Sequence, residues 1–247
     1  MTNISFFPRS FNITQEEIEK LQFSTTLSVE PPPKNSLFQI MWDECLPIAE
    51  KVLATDYFQH MIIGNLDPQD YGRLINQDSF YCFNGQFDYE LASQRAQSDK
   101  ILFDFYNAKA QSYKRYNVYF TNYWGIKDRN SIFPNNFINA YVEHEKLIAS
   151  NEQSPYLMCA MLPCEYLWFC IARGIDNRVK LSNIYRFWVE ENLSGGGQGA
   201  YLMGNILEKY RNQLDINKCI RIYMESMKHE LNVFTNASLK SEFMHIK

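Results

Sequence analysis

Apolar residues recur at intervals of three and four positions along most of the chain from Ser36 onward. In the first such segment, Phe38, Met41, Cys45 and Ala49 fall on one helical face. Nowhere is the apolar–polar alternation of a half-buried strand sustained, and no internal repeat is apparent. The pattern therefore predicts an all-α fold, a single-domain bundle of long helices.

Two proline motifs mark helix starts within this pattern. Asp67 before Pro68 and Ser154 before Pro155 each combine an N-cap residue with a proline at the first helical position. The first of these helices is predicted to carry residues 71–83. Further helical segments are predicted at about 89–112, 135–148, 181–192, 200–213 and 216–238.

The first part of the chain is predicted to be an extension of the helical domain. Thr14 and Glu17 have the spacing of a capping box, which predicts a short helix, and the EPPPK stretch at 30–34 would end it. The interpretation is an N-terminal extension over residues 1–36 and an all-α domain over residues 37–247.

Composition and charge narrow the class of protein. Aromatic residues make up 15% and hydrophobic residues 46% of the 247 residues, which is too rich for a disordered chain. The net charge of -4 argues against the basic surface that binds nucleic acid.

No apolar run reaches the roughly 18–20 residues that span a bilayer, and the N-terminus does not resemble a signal peptide. The six cysteines form no C-x-x-C pair, which favours free thiols. We therefore expect a cytoplasmic protein with neither a membrane nor a nucleic acid as partner.

Four polar residues lie on helical stripes that are otherwise apolar. They are Cys164, Asp78, Glu230 and Tyr141. A carboxylate among apolar side chains loses hydration, so it needs a partner or takes a raised pKa. Stripes that a bundle turns inward would bring these groups to one pocket. The alternative is that each is satisfied locally, by a backbone carbonyl, a tyrosine hydroxyl or solvent.

Short motifs around these residues resemble the TenA family, the thiaminase II enzymes of thiamin salvage. The segment GNLDPQDYGRLINQDSFY at 64–81 is similar to a family element whose aspartate and tyrosine hold the aminopyrimidine ring of the substrate. The resemblance implies that role for Asp78 and Tyr81. The LPC of MLPCEYLWF is similar to the family's L-P-C, which implies that Cys164 is the catalytic nucleophile.

Two further motifs extend the resemblance toward the C-terminus. AYVEH resembles the family's Y-x-x-H and places its tyrosine at Tyr141, whereas HELNVFTNA resembles the element that carries the catalytic glutamate, at Glu230. The motifs follow the family's order across roughly 37–238. They imply a heme-oxygenase-like helical fold, a homotetramer and no cofactor or metal.

The chain also departs from the family's pattern at two positions. The family commonly has a tyrosine four residues after the cysteine, where this chain has Trp168. It also has a tyrosine four residues after a tryptophan of the next helix, where Trp188 is followed by Asn192. Part of the pocket lining has thus changed, which bears on the identity of the substrate more than on the type of reaction.

The resemblance implies hydrolysis of thiamin or its aminopyrimidine degradation products to hydroxymethyl-pyrimidine. Cys164 would add to the ring, Glu230 would protonate the departing group and activate water, and Asp78 would hold the ring. Tyr81, Tyr141 and Trp168 would line the pocket and stack on the ring. The sequence leaves open whether Glu230 or the substrate ring activates the thiol.

Two other residues near these motifs receive a structural interpretation. Glu165 points about 100° away from its neighbour Cys164, so we expect it to be solvated or to face another subunit. His144 is expected to be a hydrogen-bonded core histidine.

Two other classes of function stay open. A non-catalytic pyrimidine-binding or regulatory protein could use the same pocket, which the altered positions favour. A metal-dependent oxygenase on the same fold would need converging His and carboxylate ligands, of which the sequence offers only Glu225 and His229 at i, i+4 spacing.

Overall fold

The computed structural model describes residues 34–238. All regular structure in this range is helical, and it contains no strand. The predicted all-α class is therefore confirmed. The short helix predicted near Thr14, nearly all of the proposed 1–36 extension and the tail after Ser238 lie outside the described residues.

The described chain forms α-helices of very different length, joined by short turns and by two longer connections over 125–135 and 176–185. Their bounds are α1 Leu37–Leu53, α2 Asp56–Ile63, α3 Pro68–Arg95, α4 Lys100–Trp124, α5 Asn136–Asn151, α6 Tyr156–Ile175, α7 Arg186–Leu193, α8 Gln198–Lys209 and α9 Ile216–Ala237. Two short 3₁₀ turns, Arg129–Ser131 and Arg211–Gln213, precede α5 and α9.

Side-chain caps set most of the helix starts. Ser36 accepts a hydrogen bond from the backbone N–H of Gln39 at the start of α1, and Asp67 caps α3 before Pro68, as predicted. The predicted cap at Ser154 is wrong, because the residue before α6 is Pro155 and no side chain caps that helix. The backbone carbonyl of Ser154 instead accepts a hydrogen bond from the hydroxyl of Tyr106.

The segment predicted as one helix at about 89–112 belongs to two helices. Helix α3 continues to Arg95, and α4 begins at Lys100 after a turn over 96–99. Asp99 starts the second helix, since its carboxylate accepts hydrogen bonds from the backbone N–H groups of Ile101 and Leu102. The turn contains neither glycine nor proline, so the amphipathic pattern runs through it without an evident break.

Four helices surround the interior where the polar residues lie. Helix α9 packs against α3, α5 and α6, while α5 also packs against α3 and α6. By length and composition, helix α6 could span a membrane. However, 67% of its most apolar 18-residue stretch is buried inside the protein. This burial fits the core helix of a bundle.

Candidate active site

All six residues that the sequence assigns to a site line one pocket. Helix α3 contributes two of them, α5 one, α6 two and α9 one. The pocket is narrow and is lined by Leu74, Asp78, Tyr81, Ile138, Tyr141, Cys164, Trp168, Glu230 and Val233. The helix periodicity explains the pairs that share a helix, because Asp78 and Tyr81 are three residues apart and Cys164 and Trp168 are four apart.

Inside this pocket Tyr141 contacts both Glu230 and Tyr81. The hydroxyl of Tyr141 donates a hydrogen bond to Oε1 of Glu230 over 3.1 Å. The rings of Tyr81 and Tyr141 lie 4.8 Å apart between centroids and are inclined by 40°. A carboxylate that faces a pocket and accepts from a phenol is suited to exchange protons with a bound molecule.

The thiol of Cys164 is held in its neutral form. Burial raises its pKa well above the usual value, and the carboxylates of Glu230, Glu165 and Asp78 add to this effect. The thiolate is the reactive species, so any attack by this sulfur must be coupled to removal of its proton. Among the charged groups that act on the thiol, Glu230 has the largest effect.

Trp168 forms an aromatic wall of the pocket. Its ring lies 4.9 Å from that of Phe234 and 5.7 Å from that of Trp188, between centroids. Because the walls of the pocket stand close together, the room between them is that of about one water molecule. A flat ring therefore requires side chains of the wall to move aside. Asn192, the other departure from the family pattern, is not among the lining residues, and its amide donates to the carbonyl of Trp188 over 2.7 Å.

The expectation for Glu165 is wrong. Its side chain is 2% exposed and forms an ion pair with Lys109 of α4, whose side chain is 0% exposed. The Nζ atom of Lys109 also lies 5.7 Å and 5.6 Å from the ring centroids of Tyr89 and Tyr113. The expectation that Glu165 is solvated followed only from its position next to Cys164, whereas its partner Lys109 comes from another helix. Burial raises the pKa of Glu165, and the ammonium of Lys109 opposes this.

Two buried carboxyl groups near the pocket were not expected from the sequence. Glu145 is 1% exposed, and its Oε1 accepts a hydrogen bond from the hydroxyl of Tyr81 over 2.8 Å. Asp88 is also buried, and burial raises its pKa to about 7. Glu145 lies one turn after Tyr141 on the same face of α5, and that spacing is the signal that could have identified it.

The remaining histidines and acids form no metal centre in the described part of the chain. Nε2 of His144 lies 3.1 Å from Oγ of Ser226, which confirms that this histidine is hydrogen-bonded, although it is only partly buried. Nε2 of His229 and Oε1 of Glu225 are 4.0 Å apart. Within residues 34–238 no three His, Cys, Asp or Glu side chains converge in a way that could hold a metal ion.

The fold has clear counterparts among solved structures. A TenA homologue from P. horikoshii OT3 is 18% identical with a TM-score of 0.66, and the match covers 82% of this chain and 98% of that one. A TenA family transcription regulator from a Silicibacter species is 13% identical with a TM-score of 0.68, covering 83% and 97%. A protein from Sulfolobus solfataricus described as a candidate TenA-like thiaminase is 15% identical with a TM-score of 0.57, covering 81% and 94%.

The described helices and this pocket together define an all-α protein with an internal site. No protein-family model and no curated protein sequence matches the chain. By its structure, the chain has the fold of the TenA homologues, which confirms the resemblance of its motifs at the level of the fold.

Proposed function

We propose that this protein belongs to the TenA family and hydrolyses an aminopyrimidine compound, thiamin or one of its degradation products, to hydroxymethyl-pyrimidine. The observation that carries the proposal is the convergence of Cys164, Glu230, Asp78 and the two tyrosines on one pocket, from four helices. Chance placement would spread such residues over the molecule. A thiol, two carboxylates and aromatic walls are the groups that cysteine-catalysed displacement on a flat, basic ring requires.

The ring of the substrate binds against Asp78. The Asp78 carboxylate is buried at the pocket wall, where it can accept hydrogen bonds from the exocyclic amino group and from a protonated ring nitrogen of the substrate. Such charge-assisted bonds are stronger than neutral ones in a site of low dielectric. They also favour the protonated, electron-poor ring, which is the better electrophile. Tyr81, Tyr141 and Trp168 enclose the ring's faces.

Proton transfer between Cys164 and Glu230 accompanies the attack. The Glu230 carboxylate takes the thiol proton while the sulfur forms a bond to a ring carbon. As the bond to the methylene carbon breaks, a departing amine takes that proton from Glu230, whereas the thiazole of thiamin leaves as a neutral molecule and Glu230 releases the proton to solvent. Water next adds to the methylene carbon and gives a proton to Glu230. The bond to sulfur breaks last, and Glu230 returns the proton to the thiolate. This order follows from the raised pKa of the thiol, which makes a free thiolate scarce.

The test is incubation of the purified full-length protein with thiamin and, separately, with aminomethyl-pyrimidine degradation products. Release of hydroxymethyl-pyrimidine from either substrate, and its absence with the Cys164→Ser variant, would support the proposal. Failure of the wild type to convert any aminopyrimidine would contradict it.

A receptor function is the second candidate, because the pocket is narrow and Trp168 replaces a tyrosine of the family pattern. One structural neighbour is named a transcription regulator. Calorimetric titration distinguishes the two functions, since a receptor would bind an aminopyrimidine tightly and leave it intact for hours.

We also propose that the protein is a cytoplasmic homotetramer that uses no cofactor and contacts neither membrane nor nucleic acid. Large apolar side chains such as Phe133, 95% exposed, and Leu181, 84% exposed, support association. Sedimentation at micromolar concentration tests it, and a monomer would contradict the tetramer.

A further inference from the structure

Two histidines that do not line the pocket stack next to one of its tyrosines. The ring of His229 lies 5.3 Å from that of Tyr141 between centroids, and the two ring planes are inclined by only 14°. The ring of His144 lies 5.4 Å from that of His229. Three rings from α5 and α9 are thus neighbours, and the mechanism proposed above uses neither histidine.

Helix α9 contacts the phenol of Tyr141 at two points. The hydroxyl donates a hydrogen bond to Oε1 of Glu230 over 3.1 Å, and the face of the ring packs against His229. Since His229 and Glu230 are consecutive residues of a helix, their side chains leave it about 100° apart and reach the phenol from two directions. The hydrogen bond fixes the oxygen, whereas the stacked ring fixes the plane of the phenol. Together they define the direction from which Tyr141 donates.

A further contact joins the same two helices. Nε2 of His144 lies 3.1 Å from Oγ of Ser226, which is three residues before His229 on the same face of α9. Ser226 is 0% exposed and the side chain of His229 is 12% exposed, so water has little access to these contacts. The hydrogen bond of His144 therefore holds the part of α9 that carries both His229 and Glu230.

The nitrogen atoms of His229 do not explain its position. Its Nε2 is 4.0 Å from Oε1 of Glu225, which is too far for a hydrogen bond, and the Glu225 side chain is 47% exposed. Burial and the neighbouring His144 lower the pKa of His229, so its ring is neutral at neutral pH. What His229 offers to Tyr141 is therefore the flat face of a neutral ring.

We propose that His229 is a positioning residue of the site: its ring holds the Tyr141 phenol in the orientation from which the phenol donates to Glu230. The effect on catalysis rests on the proposed function. Glu230 acts as base and acid in that reaction, so a phenol that tilts away would leave its carboxylate less well directed toward the thiol of Cys164. The loss should appear in kcat more than in KM, because the ring-binding carboxylate of Asp78 is untouched.

Two variants at the same position separate the flat face from the nitrogen atoms. His229→Phe removes both nitrogens and keeps a flat ring, whereas His229→Leu removes the nitrogens and the flat face together. We expect His229→Phe to retain kcat within about twofold. We expect His229→Leu to lower kcat about five- to tenfold, the range that one aromatic contact allows, with KM within about twofold. His60→Leu, at an exposed histidine of α2, is the control and should behave as the wild type.

Proton NMR of the free full-length protein supplies a readout that needs no substrate. The chain has four histidines, and the ring signals of His229 are those that disappear in His229→Phe. The ring of Tyr141 should displace these signals from the position of an exposed histidine such as His60. Tyr141→Phe keeps a ring and should preserve the displacement, whereas Tyr141→Leu should abolish it. The Tyr141 variants also serve if His229→Leu fails to fold.

The outcomes are distinct. Equal kcat values in His229→Phe and His229→Leu, whether full or reduced, overturn the proposal. His229 signals that respond alike to Tyr141→Phe and Tyr141→Leu also overturn it, because the two rings would then not stack in solution. If the displacement is present but the wild type converts no aminopyrimidine, the proposed hydrolysis is contradicted, while the stacking of His229 on Tyr141 is supported.

Discussion

The interior of this protein holds buried acidic side chains in two contrasting settings near Cys164. In the first, Glu165 is paired with Lys109, and both side chains are almost wholly removed from solvent. In the second, Glu230 faces the pocket and accepts a hydrogen bond from Tyr141. Behind it, Glu145 accepts from Tyr81 and has one oxygen with no partner among the described residues.

The difference teaches how a buried charge can be held for structure or for chemistry. The ammonium of Lys109 pairs with the carboxylate of Glu165 and opposes the rise in its pKa that burial causes. In the pocket, Tyr141 and Tyr81 donate hydrogen bonds to Glu230 and Glu145, and a phenol stabilises a carboxylate less than an ammonium does. Burial raises the pKa of Glu145 well above its usual value, and the hydrogen bond from Tyr81 opposes this only in part.

The largest effect is expected from breaking the ion pair. Lys109→Met leaves Glu165 buried beside apolar and aromatic side chains, and should lower the free energy of unfolding by about 3–5 kcal/mol. The double variant Lys109→Met/Glu165→Leu should recover most of that loss, because no charge is then buried. Urea unfolding at pH 8 measures both.

The exposed pair of Lys146 and Glu143, at 3.5 Å, offers the matched control. Lys146→Met should change stability by less than about 1 kcal/mol, as is usual for surface ion pairs. If Lys109→Met were as mild as Lys146→Met, the ion pair would not be the structural element that the comparison assumes.

Cys164→Ser tests the chemical side of the comparison. A serine hydroxyl is a far weaker attacker at this position, so we expect hydrolysis to fall at least about a hundredfold, or about 2.7 kcal/mol in barrier. The melting temperature should change little, because one atom differs. Cys170→Ser, on another face of α6, is the control and should keep nearly full activity. Wild-type rates in Cys164→Ser would remove the thiol from the mechanism.

Asp78→Asn asks whether the pocket wall binds a charged ring. The asparagine keeps the shape but loses the charge-assisted hydrogen bonds, which are worth about 1.5–3 kcal/mol. We expect weaker binding of an aminopyrimidine and slower turnover, with the fold intact by circular dichroism. An unchanged KM together with full activity would place the ring elsewhere.

The smallest effect concerns pH and Asp88. Its pKa is about 7 in the folded protein against 3.8 ordinarily, so the folded state holds a proton that the unfolded chain releases between these values. The contribution of Asp88 to stability is therefore fully present below about pH 4 and is lost as the pH rises to 7. Asp88→Asn should gain about 1–2 kcal/mol at pH 8 and flatten this dependence, with an upper limit of about 4 kcal/mol.

Unfolding midpoints from pH 4 to pH 8 measure the dependence for wild type and variant. If the stability of the wild type and that of Asp88→Asn changed with pH by the same amount over this range, Asp88 would be ionised in the folded protein without cost.

Much of the fold follows from local periodicity. Helix α3 starts at Pro68 as predicted, and the spacing of Asp78 and Tyr81 places both on one face whatever packs against it. The boundary between α3 and α4 was missed, because Asp99 caps the second helix without a helix-breaking residue before it. Apolar and polar spacing indicates where a helix is amphipathic, but a tight turn that keeps the same spacing is invisible to it.

The sequence by itself indicated which helical faces are buried, because residues three and four apart must share a helical face. The six residues that line the pocket were indicated by the polar positions on those faces together with the family resemblance of the motifs. The sequence did not determine what lies opposite each face. Glu165 meets Lys109 from 56 positions away, and Glu145 meets Tyr81 from 64 positions away. Whether a buried carboxylate is neutralised or left to titrate depends on the group that another helix presents to it. Only the tertiary structure decides this, since the electrostatic cost of burying a charge is set by its surroundings in space.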